Sequence, residues 1–97
     1  MKVFISVGMR GRSDEDIKND IDRATKDILN RWSDAEIVDN FVEKPENATE
    51  RLYYLGEAIK KLGECDVCYF VGDWWNYSGC AVEHEVCNQY GIMRFTM

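Results

Sequence analysis

The sequence predicts an α/β fold on a mostly parallel sheet of four to five strands, from three observations. Strand-like and helix-like segments alternate along the chain, as strand, helix, strand, helix, strand, helix, strand. Two of the strand segments, Val3–Val7 and Asp66–Val71, are nearly continuous apolar runs, the mark of strands covered on both faces. The chain has 97 residues, which makes one domain (1–97) and leaves no room for a second.

The elements follow in order. Val3-Phe4-Ile5-Ser6-Val7 is the first strand, and Gly8 and Gly11 open the loop Gly8–Arg12 after it. Ser13 with Asp16 three residues on gives a capping-box-like helix start, and Asp14, Glu15 and Asp16 suit the positive end of the helix dipole. Ile17, Ile21, Ala24, Ile28 and Trp32 then fall on one helical face. Ala35–Phe41 reads as a weaker strand nearer an edge, and Lys44–Ala48, with the single proline Pro45, as a loop. Leu52, Leu55, Ile59 and Leu62 mark the second helix, with Gly63 as its C′ residue. After the Asp66–Val71 strand, Gly72–Ser78 is an aromatic loop and Gly79–Tyr90 is helical in pattern. Gly91 closes that helix, and Met93–Thr96 is the last strand. The alternation predicts right-handed crossovers and a Rossmann-like or flavodoxin-like three-layer sandwich. Ligands in such sheets bind beyond the carboxyl ends of the strands. That edge carries Gly8–Arg12, the region after Phe41, and Gly72–Gly79.

Composition excludes several classes of function. A hydrophobic fraction of 45% with 12% aromatic residues argues for a packed globule. Twelve basic against eighteen acidic residues give a net charge of -6, which argues against a nucleic-acid polymer or an acidic membrane as partner. No apolar run approaches the ~20 residues of a membrane span, and the amino end has no signal-peptide pattern. The expected location is cytoplasmic, where four cysteines are free thiols or metal ligands rather than disulfides. A chain this short buries only about two-thirds of the surface it exposes when unfolded, so a sizeable pocket is expected to need a partner subunit. Exposed-looking aromatics likewise predict a homo-oligomer, a dimer or larger.

Cys65-x-x-Cys68 and Cys80-x₃-His84-x₂-Cys87 can be counted as a zinc set. Cys68, however, lies inside a predicted central strand, whereas paired zinc ligands come from turns. Cys80 and Cys87 share a helix face and suit burial as small apolar groups. The sequence therefore implies no metal. His84, the only histidine, points about 100° away from Glu83 on a helix, as a surface or interface residue does.

The stretch Gly72-Asp73-Trp74-Trp75-Asn76-Tyr77-Ser78-Gly79-Cys80-Ala81-Val82-Glu83 carries the most chemistry. Ser78 and Gly79 open a helix whose free N–H groups favour an anion. Trp74, Trp75 and Tyr77 could wall a planar base, and Glu83, one turn in, could attack a sugar carbon as carboxylates do in glycosyl transfer. The plainer reading of the same residues is a serine cap, a first-turn acid and interface aromatics. Helix-end N–H groups are expected to keep Glu83 ionised against the desolvation that neighbouring tryptophans would impose. Arg10 and Arg12 could meet a phosphate, although Asp14, Glu15 and Asp16 crowd the same region. Tyr53 and Tyr54 could contact a ligand or a partner, or simply pack.

Two segments carry a resemblance. Met1–Ser6 followed by Gly8-Met9-Arg10-Gly11, and Cys65–Phe70 leading to Ser78-Gly79-Cys80-Ala81-Val82-Glu83, resemble the nucleoside 2-deoxyribosyltransferase-like family. The likeness is greatest to its small phage and prophage members, in which Gly-Cys often replaces Gly-Thr. It runs in order along nearly the whole chain, and its last segment is the diagnostic one. The resemblance implies that Glu83 attacks C1′ of a deoxyribose, that Ser78 and the Gly79 backbone hold the 5′ end, and that Ser6, Gly8 and Met9 face the sugar. Trp74, Trp75 and Tyr77 would then enclose the base. It implies no metal or organic cofactor. Relatives place an aspartate just before the Ser-Gly, where this chain has Tyr77; Asp73 is the candidate substitute for handling the leaving base's proton. Two functions stay open. One is an enzyme of the N-glycosidic bond of deoxynucleosides or their monophosphates. The other is a module that binds or sequesters a nucleotide without turnover.

Overall fold

The computed structural model describes residues 1–38 and 47–96. Four parallel strands, β1 (Lys2–Ser6), β2 (Glu36–Val38), β3 (Val67–Phe70) and β4 (Met93–Thr96), form one sheet in the order β2-β1-β3-β4. Register runs from Lys2 opposite Glu36, Val3 opposite Val67, and Val67 opposite Met93. Three helices, α1 (Asp14–Arg31), α2 (Ala48–Leu62) and α3 (Ser78–Tyr90), provide the crossovers. This is the strand order of flavodoxin-like sheets, and the order reverses between β1 and β3. The predicted α/β three-layer architecture is thus the observed one, with all four described strands parallel.

Alternation along the central strands sorts the core into two halves. Successive residues of a strand face opposite sides. Val3, Ile5, Val67 and Tyr69 point to one face and pack with Ile17, Ala24 and Ile28 of α1. Phe4, Cys68 and Phe70 point to the other and pack with Ala58 and Leu62 of α2 and Cys87 of α3. All four residues of β3 are buried, as the apolar run requires. Ser6 shares its face with Phe4, and this placement carries it toward α2 and α3 rather than α1.

The helix ends follow the sequence with two differences. Ser13 caps α1 by accepting from the Asp16 N–H at 3.1 Å, and Asn47 caps α2 by accepting from the Glu50 N–H at 2.9 Å. Asn47 and Ala48 therefore belong to the start of α2, not to a loop. Gly91 ends α3 in the left-handed region at φ 70, where a Cβ would be strained. Gly63 ends α2 without that conformation: its φ of -62 is right-handed, and its N–H simply continues the ladder to the Ile59 carbonyl at 2.9 Å. The second strand is described as far as Val38. Its predicted extension to Phe41, the Pro45 loop and the site region after Phe41 lie outside the described residues. No helix among the described residues is long and apolar enough to cross a membrane.

α1 is tied to the sheet by one polar contact as well as by its apolar stripe. The Tyr69 ring is buried in the core, stacked on Phe95 with centroids 5.5 Å apart, and its hydroxyl donates to Asp27 at 2.6 Å. Asp27 also accepts from Arg31 at 3.2 Å. Tyr69→Phe keeps the ring and the packing and leaves Asp27 with Arg31. We expect a loss of about 1 kcal/mol in urea unfolding with an unchanged slope; an unchanged midpoint would show that the contact adds nothing.

Candidate functional site

A cavity of about 730 Å³ opens on the carboxyl-terminal side of β1, between the β1–α1 loop, α2 and the start of α3. Small-molecule sites typically span about 300–1,000 Å³, so one chain alone forms a ligand-sized space. The expectation that a pocket of this size needs a second subunit is not met. The reason is the reversal of strand order beside β1, which leaves a crevice where adjacent connections leave on opposite faces.

The floor is built by β1 and α3. Cys80, Glu83 and Cys87 are the buried residues of α3, spaced three and four apart on the face turned to the sheet. Ser6 ends β1 on the same side. Its hydroxyl donates to Glu83 Oε1 at 2.7 Å, joining residues 77 positions apart. Glu83 is only 6% exposed, and that remnant is cavity lining. Burial pushes its carboxyl up to about 7, and the Ser6 hydroxyl pulls the other way. This corrects the expectation that helix N–H groups would keep Glu83 firmly ionised. Glu83 is the sixth residue of α3, and the dipole's influence fades beyond the first turn, where α3 has no acid. Cys80 shares the cluster, its thiol pushed up to about 11 by burial, and it also faces the cavity.

One wall is the β1–α1 loop and the opening of α3. Gly8, Met9, Arg10 and Gly11 line the cavity opposite Tyr77, Ser78 and Gly79. The Tyr77 ring lies directly on Gly8: a Cβ there would stand 2.3 Å from two ring carbons, so only glycine permits the contact. Tyr77, not Ser78, is the N-cap residue of α3, and its side chain makes no capping bond. The first N–H groups of α3 therefore lack a side-chain acceptor, unlike those of α1 and α2. Gly79 has open space where a side chain would stand.

The other wall comes from α2: Asn47, Arg51, Leu52, Tyr54, Leu55 and Ala58. Sequence reasoning named only Tyr54 among these. The spacing of Leu52 and Leu55 was legible but read as core, whereas the upper part of that stripe faces the cavity and only Ala58 and Leu62 enter the core.

The structure thus brings together Ser6, Gly8, Met9, Arg10, Tyr77, Ser78, Gly79 and Glu83, and separates them from Asp73, Trp74 and Trp75. Trp74 stacks on His84 at 4.1 Å with 12° between the planes, and both rings lean on Phe70. Trp75 meets Trp74 edge-on and is 63% exposed. Neither lines the cavity, because the 3₁₀ turn Trp74–Asn76 carries them to the far side of α3. Asp73 accepts from Asn76 Nδ2 at 3.0 Å within that turn and does not line the cavity either. Arg12 is engaged with its own scaffold, donating to the Gly8 carbonyl at 3.0 Å and to Asp20 at 2.5 Å. It is neither a solvated loop residue nor a ligand contact.

The cysteines fall in two places, Cys65 at the end of α2 and the other three near Glu83, between the sheet and α3. Cys65 donates to the Lys61 carbonyl at 3.3 Å, Cys68 and Cys87 face one another in the α2–α3 half of the core, and Cys80 lies by Ser6. Among the described residues no group of three or more His, Cys, Asp and Glu side chains is arranged to hold a metal ion. Comparisons with protein-family models, with curated proteins and with solved structures give no match.

Two expectations test this geometry. Gly8→Ala forces the Tyr77 ring aside and should cost about 1–3 kcal/mol in urea unfolding, whereas Gly79→Ala, where nothing lies within 4 Å and the backbone is helical, should carry no such penalty. Glu83 should also make stability depend on pH. Its folded-state value is raised from 4.5 to about 7, so its contribution is full below pH 4.5 and is lost as pH rises through 7. Relative to Glu83→Gln, the wild type should lose on the order of 3 kcal/mol over that interval. Parallel pH curves for the two proteins would show that the carboxyl is not desolvated.

Proposed function

We propose that this protein acts on the N-glycosidic bond of 2′-deoxynucleosides or their 5′-monophosphates, with Glu83 as the nucleophile. The observation that carries the reading is the buried carboxylate on the floor of a ligand-sized cavity, with one oxygen fixed by Ser6. The resemblance of Ser78–Glu83 to the deoxyribosyltransferase-like motif supports it independently of that geometry.

The chemistry needs little else. A Glu83 oxygen attacks C1′, the C1′–N bond breaks, and the base departs with the electron pair and takes a proton from solvent. Water or a second base then attacks C1′ and releases the carboxylate. Ser6 is a positioning residue in this scheme: its hydroxyl fixes the rotamer and tempers the rise in Glu83's pKa. Attack requires the ionised carboxyl, so a value near 7 leaves a substantial nucleophilic fraction at neutral pH. The apolar lining from Phe4, Ile5, Val7, Leu52, Leu55 and Ala58 suits the sugar and base faces, and Tyr77 or Tyr54 can stack on the base.

One observation favours the second reading, a module that binds a nucleotide without turnover. Glu83 is the single carboxylate lining the cavity among the described residues, and Asp73 lies outside it. No second acid is therefore placed to hand a proton to the leaving base. The two readings separate in one experiment: pure protein is incubated with deoxynucleosides and deoxynucleoside monophosphates, and free base is followed by chromatography. The enzyme reading expects base release that rises with pH through about 7, as Glu83 ionises, and falls on the order of a thousandfold or more in Glu83→Gln. Tight binding with no release supports the module. Neither binding nor release across the panel overturns both.

A further inference from the structure

The six arginines of this chain divide sharply by partner. Arg12 and Arg23 both hold Asp20, and Arg31 holds Asp27. Arg94 donates to the Asn88 side chain at 3.4 Å. Arg10 and Arg51 have no hydrogen-bond or ion-pair partner for their guanidinium groups among the described residues. They are also the two arginines that line the cavity, one from the β1–α1 loop and one from the first turns of α2. Helix neighbours do not neutralise Arg51, since no residue three or four positions from it along α2 is acidic. The acids crowded at Asp14, Glu15 and Asp16 do not line the cavity. In a chain of net charge -6, the described lining thus carries two fixed positive charges against one carboxyl that burial keeps partly protonated.

The charges are also arranged in depth. Glu83 is buried at the floor, whereas Arg10 and Arg51 are exposed, at the mouth. A ligand with its reacting carbon at Glu83 and an anionic end at the mouth matches this gradient. We propose that the cavity selects phosphorylated ligands, deoxynucleoside 5′-monophosphates over the parent nucleosides, with Arg51 and Arg10 holding the phosphate. A phosphate monoester carries a charge of about -2 at neutral pH, which two guanidinium groups balance, and arginine presents the planar fork that phosphate oxygens accept. Ser78 and Gly79, at the opening of α3 where the N-cap side chain makes no capping bond, line the same cavity. This inference rests on the N-glycosidic reading for the identity of the sugar and base, and on the arginines alone for the phosphate.

The test is calorimetric titration of the whole protein with matched pairs of deoxynucleoside and deoxynucleoside 5′-monophosphate, alongside assay of base release. The wild type should bind the monophosphate at least tenfold more tightly than the nucleoside, and the preference should narrow as salt rises. Arg51→Gln should reduce the ratio of the two affinities about tenfold, Arg51→Lys should reduce it less, and Arg10→Gln should act in the same direction. Arg23→Gln, at an arginine outside the cavity, should leave the ratio alone. Equal affinities in the wild type, or an unchanged ratio in both Arg51→Gln and Arg10→Gln, would overturn the phosphate assignment even if base is released from nucleosides. Tight, phosphate-dependent binding without base release would uphold it while removing the enzymatic reading.

Discussion

Burying a carboxyl is costly unless something meets it, and the organisation of this protein around Ser6 and Glu83 follows from that cost. Ser6 faces α3 only because the period of β1 sends Val3 and Ile5 to α1 and Phe4 and Ser6 to the opposite layer. Glu83 reaches Ser6 only because α3 turns Cys80, Glu83 and Cys87 to the sheet. Beside α3, Trp74 stacks on His84 and both rings lean on Phe70 of the same core half. A strand period and a helix face thus converge on one 2.7 Å hydrogen bond. That bond fixes the orientation of the carboxyl on the cavity floor and opposes part of the rise that burial imposes on it.

At Glu83 two effects compete, and distance decides between them. The partial positive charge of a helix end acts within about one turn. Glu83 sits past that range, against the sheet and almost out of solvent, so desolvation dominates and the carboxyl is held near neutrality. Had the acid stood at Gly79 or Cys80, the same dipole would have favoured the anion. The placement gives a carboxyl that is neutral enough to be buried yet partly ionised near neutral pH, a balance that a fully exposed first-turn acid would not reach.

Much of the fold could be read from residue patterns because those patterns report burial directly. The Val3–Val7 and Asp66–Val71 runs announced two central strands, and Ser13 announced the cap of α1. In the candidate site, Gly8, Tyr77 and Glu83 were legible because strand ends and helix starts meet at one sheet edge in any parallel α/β domain, whereas Ser6 was named through the family resemblance alone. Trp74 and Trp75 were misplaced because sequence adjacency to Ser78 does not fix which side of α3 a turn delivers a ring to; the 3₁₀ geometry does. The α2 wall escaped for a different reason. An apolar stripe looks the same whether it meets a core or a cavity, and Leu52, 67% exposed, belongs to the second kind. Arg51 gave no signal at all, since a lone arginine on a helix acquires meaning only from what fails to pair with it.

That absence of pairing among the described residues links the site to the acidity of the whole chain. With eighteen acids for twelve bases, an arginine on this surface has carboxylates in excess; Arg12 and Arg23 share Asp20, and Arg31 takes Asp27, both on α1. Arg10 and Arg51 stand apart because the cavity wall around them is apolar or backbone: Met9, Gly11, Leu52, Leu55. An overall negative field slows the approach of an anion over the ~10 Å screening length at moderate salt, yet it weakens little of the attraction once the ligand is inside a low-dielectric crevice. Global and local electrostatics therefore act on different steps, the first on encounter and the second on retention. On the phosphate proposal, such a site would admit anions without steering and discriminate among them by the few groups that line it.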